Sequence, residues 1–207
     1  MEMKKATVWP GEDQAWRLLI ELDPDKVKTN AGVTFDREMS AYVLNCFGQV
    51  VYVSLQNQII SSTSPVGKLL VEELAEYSRL STLSYLIHAQ DIPVSGNLVR
   101  PADLPGGKIF LQGTHVLPLN KIIKRFHKNP EEFLGKGKEL GGSPLMFGDF
   151  SLALFPFPKV QIVLIVWSGD EEFPPNASLL VDSSCTSHMS TDIIWATAKM
   201  TVELMLL

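Results

Sequence analysis

A chain of 207 residues can bury one substantial core, and 45% hydrophobic with 20% charged residues excludes an intrinsically disordered chain. The net charge of −5 speaks against a general nucleic-acid binder, so no nucleic-acid partner is expected. Two cysteines, Cys46 and Cys185, exclude a self-contained four-cysteine cluster or zinc ribbon and point to a reducing, cytoplasmic setting.

Met1-Glu2-Met3-Lys4-Lys5 runs into mixed polar residues, and no secretory leader is expected. Asp13 can cap a short helix carrying Trp16, Leu18, Leu19 and Leu22. Asp23-Pro24 supplies an N-cap and a first-turn proline for a second helix ending near Gly32. Tyr42 to Cys46 then alternates, turns at Phe47-Gly48-Gln49 and continues as Val50 to Val53, a hairpin, with Gln58-Ile59-Ile60 as a possible third strand. Ser64-Pro65 starts a long amphipathic region reaching Ile87, with a break expected in the Ser- and Thr-rich Ser78 to Ser84.

Residues 91 to 107 read as a loop, and Ile109-Phe110-Leu111 is too short to assign. Leu119 to Phe126 and Glu131 to Leu140 fit two helices, the first with a basic outer face. Phe150 to Trp167 is the most apolar stretch, but Pro156, Pro158, Lys159 and Gln161 interrupt it. A membrane helix is therefore not expected, and two buried strands are, with Trp167 in the core. Leu179-Leu180-Val181 is a short strand, and Ser190 caps a final helix. Strands come in clusters between groups of helices. That favours one α+β domain over residues 1 to 207, with a mostly antiparallel sheet and helices packed on it.

Several blocks together resemble a known family. They are Leu83-Ser84-Tyr85-Leu86, Asp91-Ile92-Pro93 with Gly96, Leu104-Pro105-Gly106-Gly107 with Phe110, and Leu140-Gly141-Gly142. Gly148-Asp149, Phe155-Pro156, Leu179-Leu180-Val181-Asp182 and above all Trp167-Ser168-Gly169-Asp170-Glu171-Glu172-Phe173-Pro174-Pro175 extend the match over most of the chain. The family is an uncharacterised domain of unknown function from anaerobic bacteria and archaea. Some members resemble partners of corrinoid and iron–sulfur one-carbon metabolism and carry a four-cysteine domain that has no counterpart here. The resemblance implies anaerobic metabolism and a corrinoid or iron–sulfur protein as partner.

Two constellations can carry chemistry. Asp170, Glu171 and Glu172 follow an apolar strand and can hold a hard divalent cation or shift one another's pKa values. Alternation in extended chain sends Glu171 away from Asp170 and Glu172, and a Pro174-Pro175 turn is expected to bring Asp182 back beside those two as a third metal ligand. Alternatively, one of the acids caps a turn or pairs with a lysine while Phe173-Pro174-Pro175 locks the loop. The second constellation is Cys185 with His188, a soft-metal pair, a nucleophile with its imidazole, or axial ligands for a haem or corrinoid. His115, in a loop, is a further axial candidate; His88, near a helix end, suits the helix dipole, and His127 lies in a charge run that reads as a solvated face. Gly106-Gly107-Lys108 lacks the spacing of a phosphate loop.

The function expected is that of a non-enzymatic binding or accessory protein taking a tetrapyrrole. The alternatives are a metal-assisted hydrolase or lyase using the acidic turn, and an interaction subunit presenting Phe155, Phe157 and Phe173.

Overall fold

The computed structural model describes residues 11–207. The opening Met1-Glu2-Met3-Lys4-Lys5, where no leader is expected, lies outside the described residues. Local chemistry sets the first elements. Helix α1 (Glu12–Glu21) starts ahead of the expected cap, with left-handed Gly11 in the cap position and Asp13 inside the first turn. Helix α2 (Pro24–Ala31) is built as its sequence reads. The Asp23 side chain accepts from the Asp25 N–H, Pro24 fills the first position and Gly32 closes the helix at φ 65°.

A short strand β1 (Thr34–Asp36), which carries no sequence signal, precedes the expected hairpin of β2 (Ala41–Cys46) and β3 (Gln49–Ser54). Strand β4 (Ile59–Ser61) completes an antiparallel sheet of order β1-β2-β3-β4. Helix α3 (Pro65–Lys68) then runs through a π turn over Leu69–Glu73 into α4 (Ala75–His88). The break thus falls before the serine-rich stretch. The Leu74 N–H reaches back five residues to the Leu69 carbonyl at 2.9 Å, and Ser78 Oγ donates to the Leu70 carbonyl at 2.6 Å, satisfying a group the wider turn leaves over. Ser78, Ser81, Thr82 and Ser84 are buried within α4, where small side chains fit against packed neighbours.

The second sheet has the order β5-β9-β8-β7-β6, from β5 (Leu98–Val99), β6 (Ser143–Leu145), β7 (Phe150–Phe157), β8 (Val160–Trp167) and β9 (Asn176–Asp182), all neighbours antiparallel. Helices α5 (Leu119–Phe126) and α6 (Pro130–Glu139) lie between β5 and β6 in sequence, and α7 (Thr191–Leu206) closes the chain. The fold is α+β with antiparallel pairing, as the clustering of strands implies. It holds two sheets rather than one, so the first half does build a sheet of its own.

One core joins them: Tyr42 and Val53 from the first sheet, Leu152 and Ile162 from the second, and Leu83, Leu86 and Leu204 from the helices belong to a single apolar cluster. The Phe47 N–H donates to the Phe155 carbonyl across the sheets at 2.9 Å. Beside it Gly48 meets Gly141 so closely that a Cβ on Gly48 would lie 2.9 Å from the Gly141 Cα. Strands β7 and β8 are buried on both faces, which is why they read as continuous apolar runs. Trp167 is only half-buried, at the edge of a smaller cluster with Ala153, Val163 and Ile165, because it stands at the strand end. No helix among the described residues is long and apolar enough to cross a membrane.

Candidate functional site

The acidic turn is organised by hydrogen bonding. Asp170 Oδ1 accepts from the backbone N–H groups of Glu172 and Phe173, both at 2.8 Å, so this carboxylate caps the turn. The expected gathering of Asp182 with Asp170 and Glu172 does not occur. Register pairs Trp167 with Asn176 and Ile162 with Val181, so Asp182 lies at the far end of β9. Six residue steps at about 3.4 Å each put it roughly 20 Å from the turn. Among the described residues, no group of three or more His, Cys, Asp and Glu is placed to hold a metal ion.

Asp182 has a structural task instead. It is fully buried, and its Oδ1 accepts from the Ser95 N–H (3.0 Å), Ser95 Oγ (2.8 Å), the Ser184 N–H (2.9 Å) and Ser184 Oγ (2.5 Å). Its Oδ2 accepts from the Gly96 N–H at 2.7 Å. Burial alone would raise its pKa. The hydrogen bonds from Ser184 and Ser95 together outweigh that and hold the carboxyl below its ordinary value.

Cys185 and His188, the expected ligand or nucleophile pair, are both fully buried. Burial, helped by the Asp182 charge, pushes the Cys185 thiol up to about 12, which disfavours the thiolate. His188 Nδ1 accepts from the Gln90 N–H at 3.3 Å, which leaves the ring proton on Nε2, and Nε2 has no hydrogen-bond partner among the described residues. Burial first, then the Lys159 charge, lowers the His188 pKa, and Asp182 only partly offsets them. With the folded pKa below the unfolded 6.5, the unfolded chain takes up the proton first as the pH falls. The stability that this neutral ring contributes is therefore full above pH 6.5 and is lost below it. Urea titrations at pH 7 and pH 5.5 should show that loss in the parent and a much flatter profile in His188→Gln.

An open groove of about 500 Å³ lies elsewhere, between the 100–119 segment and β9. Buried Phe110 and Leu179 and the more accessible Leu111, Val116, Leu117 and Leu119 form its apolar wall. Leu111 and Val116 are 69% and 53% exposed. Arg100 and Lys108 bring cations to the same opening. Arg100 is engaged bidentately with Asp103, at 2.8 and 2.9 Å, whereas Lys108 makes no ion pair among the described residues.

Several anchors hold this wall. Asp182 pins residues 95–96, so that β5 pairs with β9 and delivers Arg100 to the rim. Gly107 passes so close to the Pro101 carbonyl that a Cβ there would stand 2.1 Å from its oxygen, so only glycine fits. Thr191 Oγ1 donates to the Pro105 carbonyl at 2.7 Å, and Trp195 Nε1 donates to the His115 carbonyl at 2.6 Å. The His115 ring packs edge-on to Trp195 with centroids 4.8 Å apart, and His115 directly precedes the groove residue Val116. Of the three candidate cofactor ligands, His115 alone is adjacent in sequence to a groove residue. Periodicity does not mark Lys108, Phe110 and Leu111 as a site, because short 3-10 turns carry none. Their one signal is an apolar triplet beside a lysine inside a loop.

A family model described as Domain of unknown function (DUF3786) matches residues 23–204. No curated protein and no solved structure matches the chain.

Proposed function

We propose that this chain, which belongs to the DUF3786 family of domains of unknown function, is a non-enzymatic binding protein that takes an anionic amphiphile into the groove beside β9. The observation that carries this reading is the meeting, at one opening, of an exposed apolar wall with Lys108, which no carboxylate neutralises among the described residues. Burying the ligand's apolar body against Leu111, Val116 and Leu117 supplies affinity of about 25 cal/mol per Å². A carboxylate on the ligand meets Lys108 and fixes its direction.

Among tetrapyrroles, haem has this chemistry, a flat apolar body edged by two carboxylates, and a corrinoid edged by amides fits it less well. Cys185 and His188 are sealed in the core and do not suit axial ligation, which leaves His115 for that role. The family resemblance makes a corrinoid or iron–sulfur protein of anaerobic metabolism the setting for such an accessory role.

Haemin and dodecanoate are the test ligands, with Lys108→Glu and Leu111→Asp as variants of exposed positions. Both variants should bind both ligands about tenfold or more weakly than the parent, a change of about 1.4 kcal/mol. His115→Ala should alter the absorption spectrum of bound haemin and leave dodecanoate affinity unchanged. Parent-like affinities in both groove variants would remove the groove as the site.

A further inference from the structure

Strand ends at the far side of the second sheet carry a different surface. The β6–β7 loop presents Met146 and Phe147, 101% and 44% exposed, and the β8–β9 turn presents Phe173 at 67%. Between them lies a cleft of about 710 Å³, with Trp167, Phe173 and Pro175 as apolar walls and Asp149, Asp170 and Asn176 as polar ones. Glu171 and Glu172 stand exposed in the same turn.

The cleft is rigid. Asp149 Oδ2 accepts from the Ser168 N–H at 2.7 Å, which ties one loop to the other, and the Asp149 N–H donates to the Val166 carbonyl at 3.1 Å. The Asp170 N–H donates to the Phe173 carbonyl at 2.9 Å, and Asp170 Oδ1 caps the turn. Pro174 and Pro175 stiffen the chain between the turn and β9. Asp149 and Asp170 each spend one oxygen on these bonds, and the other oxygen of each has no hydrogen-bond partner among the described residues.

Charge decides what this surface takes. Four carboxylates, Asp149, Asp170, Glu171 and Glu172, meet here, against a net −5 for the entire chain. None of them makes an ion pair among the described residues, and neither loop contains a lysine or arginine. We infer that this aromatic, acid-rimmed cleft is a docking surface for an arginine-bearing basic segment of a partner protein. A guanidinium stacks flat on an aromatic ring and pairs bidentately with a carboxylate, and both groups are offered here side by side. A neutral sugar can stack on Trp167 or Phe173 and donate its hydroxyls to the carboxylates, but it brings no positive charge to compensate the four acids. Exposed aromatic anchors inside a charged rim are also the usual composition of a binding hot spot.

The probe is a fluorescent peptide of four Arg-Gly repeats, with Lys-Gly and Glu-Gly repeats as controls, followed by anisotropy. The arginine peptide should bind, the lysine peptide more weakly and the acidic peptide not at all, and added salt should weaken binding. Phe173→Ala should lower the affinity about tenfold, as should the double change Glu171→Gln with Glu172→Gln. None of these side chains makes one of the turn's own hydrogen bonds, so the melting temperatures should match the parent. Parent-like binding by Phe173→Ala would reduce the effect to bulk charge and overturn the cleft. So would a neutral oligosaccharide binding as well as the arginine peptide, absence of peptide binding, or self-association that the double variant dissolves.

Discussion

Asp182→Ala should cost the fold about 3–5 kcal/mol in urea denaturation, although sequence alone makes the residue a metal ligand. The substitution removes the charged acceptor shared by the N–H groups of Ser95, Gly96 and buried Ser184; hydrogen bonds to a charged group contribute about 1.5–3 kcal/mol each with incomplete additivity, and less at Ser95 and Gly96, which water can reach. Asp182→Asn should cost less, since one carbonyl oxygen still accepts. The sign of the pH dependence comes from the lowered pKa. The contribution of Asp182 is full above its unfolded value of 3.8 and is lost as the pH falls through its lower folded value. Because Asp182 also holds β5 against β9, the alanine variant should lose groove binding under conditions where it remains folded. A midpoint equal to the parent's would show that the three donors find other partners.

The second large effect is Phe157→Ala, expected at about 3–5 kcal/mol. The sequence groups Phe157 with Phe155 and Phe173 as an exposed contact, and the structure corrects this. Phe157 is fully buried, stacked on Tyr85 with ring centroids 4.8 Å apart and planes 13° from parallel, while Phe155 is half-buried. Tyr85 in turn donates to the Ala31 carbonyl at 2.7 Å and accepts from the Lys159 N–H at 3.2 Å, so the pair ties α2, α4 and the β7–β8 turn together. Truncation also enlarges a small void that Phe157 lines with Cys46 and Met200. Phe173→Ala, at 67% exposure, should leave the midpoint almost unchanged. Equal midpoints for the two variants would contradict this placement.

Local features are the ones legible in the sequence. The Asp23-Pro24 start and Gly32 stop of α2, the Phe47-Gly48 turn, and the apolar runs of β7 and β8 each depend on backbone chemistry or periodicity within a few residues. The consequences of strand pairing are hidden. Once β8 and β9 form an antiparallel hairpin around the acidic turn, simple counting sends Asp182 to the opposite end, whereas proximity in sequence places it beside the turn. Cys185 and His188 have the spacing of a ligand pair, but their burial depends on α4 and the β7–β8 turn, which are remote in sequence. The groove wall depends on 3-10 turns that have no period, held by Thr191 and Trp195 some 80 residues away. Of the three candidate cofactor ligands, His115 is the one next in sequence to a residue of that groove, Val116.

The central claim is that the groove beside β9 holds an anionic amphiphile, and backbone amide NMR tests it most directly. Titration of ¹⁵N-labelled protein with dodecanoate should give saturable shifts concentrated on Lys108, Phe110, Leu111, Val116, Leu117, Ser178 and Leu179. The same titration of Lys108→Glu should need about ten times more ligand to reach half-saturation. Shifts that fail to saturate, or that fall on the 167–176 turn while the groove residues stay still, would contradict the account.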